Sequence, residues 1–347
     1  MRLRLPLLCL LLNGLLVPAA ETPKGASQLL RLATPAATNA AGPPPVDAPI
    51  RIQFGRWHGW PRAVTLSNGV AEVVIVPEVG RVMQFRLRDE PGVFWDDPAL
   101  YGKSPDPASA EWLNFGGDKT WPAPQADWPK ITPRAWPPPV AFDALPVEAS
   151  VFRDGVLLRS PVDPHYGLRT ERLVHLDRLR AEMTIVTTYI KESGPPSRVG
   201  VWIITQLNDP EAVYIPLPRP SVNPAGYVKQ SDALPADLRV EDGLVTLRRH
   251  PSAGTKIGTD AGTMLWVGRH HVLRIDSPRL PGLEYPDGNS SAEVYTNGDP
   301  KAYVELETLG PLATLNVGDR LSQTNTYMLL RRTQPTPRAE ARAVLGR

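Results

Sequence analysis

Apolar and polar positions along this chain alternate in short runs separated by turn residues. Residues 69–76 form a valine-rich run, and the Pro77-Glu78-Val79-Gly80 that follows has the composition of a turn. Residues 81–87 then alternate, with Met83, Phe85 and Leu87 on one side and Gln84 and Arg86 on the other. That is the period of a half-buried strand. The same reading predicts strands over residues 180–191, 198–207, 243–247, 263–267, 272–275, 292–295, 302–308 and 321–330, where β-branched and aromatic residues recur. Helical periodicity is scarce. Residues 145–159 lack a sustained 3.6 repeat, and residues 339–345 read either as a short terminal helix or as a frayed end. The 40 prolines sit mainly between the predicted strands and argue against long helices. So many strands exceed the roughly ten that one strongly twisted open sheet carries. The pattern therefore predicts an all-β fold, an antiparallel β-supersandwich of two large stacked sheets. One domain over residues 50–332 is expected, followed by a tail at 333–347. Two all-β domains divided near residue 210 are the alternative.

The ends of the chain read differently. Arg2 and Arg4 precede an apolar run over residues 5–17, and Val17-Pro18-Ala19-Ala20 offers small residues for cleavage. This is the layout of a secretory signal peptide, too short for a spanning helix. Residues 1–20 are thus expected to direct the protein to the periplasm or outside the cell, with no membrane insertion after their removal. Residues 21–49, rich in Pro and Ala, read as a disordered linker. Cys9, the only cysteine, lies in the leader, so the remainder has neither a disulfide nor a thiol nucleophile. The chain has 38 basic and 36 acidic residues, and setting aside Arg2 and Arg4 leaves 36 of each. A net charge near zero gives no electrostatic footprint for nucleic acid or an anionic membrane.

Two segments carry candidate chemistry. Residues 111–139 combine Asn114, Asp118 and Lys119 with Trp112, Trp121, Trp128 and Trp136, four of the nine tryptophans. The prolines and polar turn residues here argue for a loop rather than a buried strand. Indole faces stack on sugar C–H faces while the polar groups bind hydroxyls, which suits a polar, ring-shaped ligand. The alternative is that the tryptophans pin a long loop to the sandwich. Gly116-Gly117 would let the backbone aim Asn114, Asp118 and Lys119. In Tyr303-Val304-Glu305-Leu306-Glu307, strand alternation puts Tyr303, Glu305 and Glu307 on one face. Two carboxylates about 7 Å apart would serve as acid and base, or they simply form a solvent-facing polar surface. The six histidines show no metal-ligand spacing, and there is no phosphate-binding glycine loop or G-x-S-x-G elbow. No metal or other cofactor is expected.

Taken in order, Gly69…Pro77…Gly80-Arg81-Val82…Phe85, Asn114-Phe115-Gly116-Gly117-Asp118-Lys119, Val201-Trp202…Gln206-Leu207 and Tyr303…Glu307 resemble the galactose mutarotase-like β-supersandwich proteins. Within that group the chain looks closest to the bacterial domain of unknown function 4380 family. Asn-Phe-Gly-Gly-Asp-Lys-Thr-Trp-Pro-Ala-Pro is the most specific stretch, and the resemblance spans about residues 50–332. It implies a sugar bound across the concave face of one sheet. In mutarotases a histidine donates a proton to the ring oxygen and a late glutamate takes one from the anomeric hydroxyl. The glutamate would be Glu305 or Glu307, whereas the histidine positions hold Trp202 and Phe115. The expected function is an exported carbohydrate-binding protein lacking the usual epimerase acid. Its catalytic-type carboxylates are Glu305 and Glu307, and Arg81, Asn114, Asp118, Lys119, Trp121 and Trp202 would contact a saccharide. The alternatives are a sugar-active enzyme with Glu305 or Glu307 as base and Lys119 or His165 as acid, and an envelope module without a ligand.

Overall fold

The short alternating runs resolve into strands that all pair antiparallel, roughly half of them with sequence neighbours as in hairpins and the rest through crossovers. A computed structural model describes residues 49–346; the leader and nearly all of the linker read from the sequence lie outside the described residues. The strands are β1 (Arg51–Trp57), β2 (Trp60–Ser67), β3 (Ala71–Val76), β4 (Arg81–Leu87), β5 (Asp118–Ala123), β6 (Glu148–Val151) and β7 (Gly155–Arg159). There follow β8 (Leu168–Leu176), β9 (Glu182–Lys191), β10 (Ser197–Asn208), β11 (Ala212–Pro216), β12 (Val228–Lys229), β13 (Ala236–Glu241) and β14 (Leu244–Arg248). The last are β15 (Thr255–Thr259), β16 (Thr263–Val267), β17 (His271–Asp276), β18 (Ala292–Thr296), β19 (Tyr303–Leu309), β20 (Ala313–Leu315) and β21 (Arg320–Arg331).

These form two sheets, as the alternation predicted. The first has 11 strands in the order β1-β2-β3-β4-β5-β10-β19-β18-β15-β12, with β20 attached to β10. The second has 10, in the order β13-β14-β11-β16-β17-β21-β9-β8-β7-β6. Both combine strands from either side of residue 210, so no domain boundary falls there. Between them Val73, Phe85, Val304 and Leu306 of the first sheet pack against Val174, Ile185, Leu273 and Leu329 of the second. Each such side chain contributes about 1.5–3 kcal/mol when removed from water. The helix Pro337–Leu345 is capped by Thr336 and docks on the second sheet, burying Ala341 beside Leu265 and Val267. No helix among the described residues is long and apolar enough to cross a membrane.

The strands predicted from alternation are present with their ends moved by a residue or two. The expectation for residues 111–139 fails in one important part, because Asp118–Ala123 is a fully buried strand inside the first sheet. Its proline is tolerated because β4 pairs with β5 only at Val82↔Asp118, leaving β5 unpaired on that side at Pro122. Strand β8 escaped prediction for a related reason. Its inward positions include Thr170 and Arg172, which interrupt the apolar period.

Candidate functional site

Five adjacent strands, β5, β10, β19, β18 and β15, build one polar surface. Val304 and Leu306 point into the space between the sheets, so strand alternation turns Glu305 and Glu307 to the opposite, outer face. Residues directly paired across strands point the same way. One such row runs Lys119, Ile204, Glu307, Glu293 and Gly258, and another runs Gln206, Glu305, Tyr295 and Lys256. Trp121 pairs with Trp202 beside them. The tryptophan-rich segment and the late acidic strand therefore share one face.

Around Glu307 the charges are tightly paired. Lys256 Nζ lies 2.8 Å from Glu307 Oε2 and 2.7 Å from Glu293 Oε2, bridging two carboxylates that sit directly opposite each other. Without that bridge the like charges would repel. The indole N–H of Trp202 donates to Glu307 at 2.7 Å, and the Lys256 ammonium rests 4.7 Å from the Trp202 ring centre. Gln230 donates to Glu293 Oε1 at 2.7 Å. Burial pushes the Glu293 carboxyl up to about 8, against the pull of Lys256 and with the help of Glu307. Burial alone would lower Lys256, but the two carboxylates outweigh it and hold the ammonium above its ordinary value.

Around Glu305 the partners are fewer. Gln206 donates to Glu305 Oε1 at 2.7 Å, while Lys119 Nζ stands 3.9 Å from the same oxygen, beyond hydrogen-bond reach. The ammonium lies over two indoles, 4.8 Å from Trp121 and 5.6 Å from Trp112. Burial raises Glu305 to about 7, opposed by Lys119 and reinforced by Glu307. Burial also lowers Lys119 to about 8, opposed by Glu305 and reinforced by Arg81. A carboxyl and an amine that both titrate near neutrality thus face each other across a short gap.

Arg81 ties the surface together. It donates to the Gly116 carbonyl at 2.9 Å and to Asp143 at 2.8 Å. Asp143 also accepts the indole N–H groups of Trp112 at 2.7 Å and Trp121 at 2.9 Å. Gly116 and Gly117 have φ of 88° and 71°, and a Cβ on Gly116 would come within 2.1 Å of the Trp95 carbonyl oxygen. Only glycine fits such a turn. The rings of Trp112, Trp121, Trp128, Trp136 and Trp202 form a continuous cluster with centroid distances of 5.1–6.4 Å. Trp136, at its outer limit, is 42% exposed.

Of the residues singled out from the sequence, Glu305, Glu307, Lys119, Trp121 and Trp202 gather on this face, with Arg81 beside them. Asn114 sits at its edge, where its side chain meets the Tyr303 hydroxyl. Asp118 does not join them. Because it lies in a strand rather than a loop, it points the opposite way from Lys119, into the interior, where Arg172, Thr205 and Tyr327 bind it. Nor are Glu305 and Glu307 a solvent-facing polar surface, since they are only 9% and 1% exposed. His165 is exposed on a loop. Phe115 packs against Trp60, with the Arg81 guanidinium 5.6 Å from its ring centre. Sequence reasoning missed Glu293, Lys256, Gln206 and Asp143. The one available signal was Glu293, which alternates with Ala292 and Val294 in a predicted strand. Among the described residues no three or more His, Cys, Asp or Glu side chains are arranged to hold a metal ion.

The two-sheet sandwich is galactose mutarotase-like in fold. Similar solved structures include a galactose mutarotase-like protein from Lactobacillus casei ATCC 334, with 9% identity, a TM-score of 0.51, and coverage of 77% of this chain and 100% of that one. The Slr1438 protein from Synechocystis sp. PCC 6803 shares 12% identity with a TM-score of 0.53, covering 80% of this chain and 99% of that one. A TPR-domain containing protein from Parabacteroides distasonis ATCC 8503 shares 13% identity with a TM-score of 0.54, over 77% of this chain but 47% of that longer one. At such identities the likeness is one of fold. No match was found among curated proteins. A family-level match extends over residues 62–330, most of the chain, and by it this protein belongs to the family described as Domain of unknown function (DUF4380).

Proposed function

We propose that this protein binds a saccharide on the outer face of its first sheet. The observation that carries the reading is the convergence of Glu305, Glu307 and Lys119 with the indoles of Trp121 and Trp202 on three adjacent strands. Carboxylates and an ammonium exchange hydrogen bonds with hydroxyls, and indole faces cover sugar C–H surfaces. The likeness to a structure named galactose mutarotase-like supports the same choice of ligand. Because Glu307 is 1% exposed, entry requires the tryptophan cover, with Trp136 outermost, to lift. Calorimetry against a panel of neutral and charged monosaccharides and oligosaccharides tests the proposal. Binding should be lost, by about tenfold or more, in Trp202→Ala, which removes one stacking surface. Wild-type protein that binds no member of the panel would overturn it.

A second reading is favoured by the Lys119–Glu305 pair. Two groups that titrate near neutrality at 3.9 Å can pass a proton between themselves and a ligand, which is the equipment of a general acid and base. On this reading the protein is a sugar-active enzyme in which Lys119 takes the acid role that a histidine has in mutarotases. Mutarotation followed by polarimetry should then exceed the buffer rate and collapse in Glu305→Gln. Rates equal to buffer would dispose of the epimerase version. The leader-like residues 1–20 support export to the periplasm or the medium, which cell fractionation and sequencing of the mature amino terminus would check.

A further inference from the structure

A cleft of about 190 Å³ opens beside the candidate site, between residues 104–113 and 134–144. Trp112, Pro137 and Pro138 give it apolar walls, while Ser104, Glu111 and Arg134 line it with polar groups. It is well below the roughly 300 Å³ at which sites for drug-sized ligands begin, and it has room for one pyranose ring. The cleft and the site share two side chains. Trp112 lines the cleft, and Lys119 Nζ lies 5.6 Å from the centre of the same ring. Asp143 also lines the cleft while it holds Arg81 and the indole N–H groups of Trp112 and Trp121. The polar groups around the opening retain capacity to bind. Arg134 spends one N–H on the Ser109 carbonyl at 3.1 Å and, among the described residues, makes no ion pair. Glu111 is exposed, and its backbone N–H, not its carboxylate, makes the hydrogen bond that reaches Ser109. A guanidinium that donates, a carboxylate that accepts and an indole between two proline rings are the groups that the hydroxyls and C–H faces of a sugar use.

Resting on the saccharide reading above, we infer that the ligand has at least two linked rings, one under the tryptophan cover against Glu305 and Lys119 and the next in this cleft, with Trp112 touching both. The second ring adds its contacts without a second loss of translational freedom, so affinity rises with the first glycosidic link. It stops rising once the cleft is full, because the cleft holds a single ring.

The test is calorimetry at pH 7 with the monosaccharides of the panel above, the disaccharides maltose, cellobiose and lactose, and the trisaccharides maltotriose and cellotriose. At least one disaccharide should bind about tenfold more tightly than either of its component sugars, and a third ring should add less than about twofold. Disaccharides that bind no more tightly than their components overturn the inference and leave the saccharide reading standing. A further tenfold gain with the third ring overturns the one-ring cleft. If no sugar binds, both readings fall. Ser104→Trp fills the cleft from an exposed position on its rim. It should erase the disaccharide gain and leave monosaccharide affinity within about twofold of wild type. Arg134→Ala, which removes the donors on the cleft wall, should reduce the same gain. A gain that survives intact in both folded variants would overturn the placement of the second ring.

Discussion

Asp118 and Lys119 are consecutive in the chain, are both buried and charged, and face opposite sides of one sheet. Asp118 turns inward, where Arg172 pairs with it and the hydroxyls of Thr205 and Tyr327 each donate at 2.7 Å. Every lone pair that matters has a partner, and the residue pins β5 and β10 of the first sheet to β8 and β21 of the second. Lys119 turns outward, rests on indole faces, and its ammonium has no hydrogen-bond partner. A satisfied buried charge is a structural tie. An unsatisfied one stores a capacity to bind, because the group regains partners only when something arrives. Adjacent residues of one strand thus separate the framework of this protein from its candidate site.

The sharpest way to break that comparison is Asp118→Asn. It leaves Arg172 buried without its counter-charge and should lower unfolding free energy by about 3–5 kcal/mol in urea titration. A loss below about 1 kcal/mol would show that Asp118 is no tie. The next effect is one of pH. Glu305 and Glu293 hold protons in the folded state up to about 7 and about 8, whereas the unfolded chain releases them near the ordinary carboxylate value of 4.5. In that interval the native state binds more protons, so stability falls as pH rises from about 5 to 8. Lys119, lowered to about 8, acts above that window and restores stability as pH climbs further toward its unfolded value. Urea midpoints that rise steadily from pH 5 to 8 would contradict this charge assignment. The smallest effect belongs to Lys119→Met, which keeps the contacts with Trp112 and Trp121 and removes an unpartnered ammonium. Its stability should stay within about 1 kcal/mol of wild type, while saccharide affinity falls. If it destabilises the fold as much as Asp118→Asn does, the distinction between the two faces disappears.

Alternation of period two exposed most of the long strands, including the pair at residues 69–76 and 81–87 and the acidic strand β19, because one face of each contacts the apolar interior. It failed at β5, where a proline and four polar or aromatic residues in six conceal a strand that other elements bury on both faces. That error carried directly into the site. Read as a loop, residues 118 and 119 were assigned to one ligand; as a strand, they part. Glu305 and Glu307 are legible as a pair on one face, but pattern alone favours a wet surface over the buried one that the structure shows. Glu293 offered only its alternation with Ala292 and Val294, and Lys256 and Gln206 carried no local signal, since each matters only through the residues it meets on neighbouring strands.

The amino-acid order by itself determined that the chain makes strands, how they alternate and that two stacked sheets must result, because periodic burial of apolar side chains is a local property of an extended backbone. Which charges meet was decided only by the tertiary structure. Sheet register brings Lys256 within reach of both Glu293 and Glu307, and burial removes the water that would otherwise screen them. Electrostatic partnership depends on distance and dielectric in space, and neither is written in the spacing of residues along the chain.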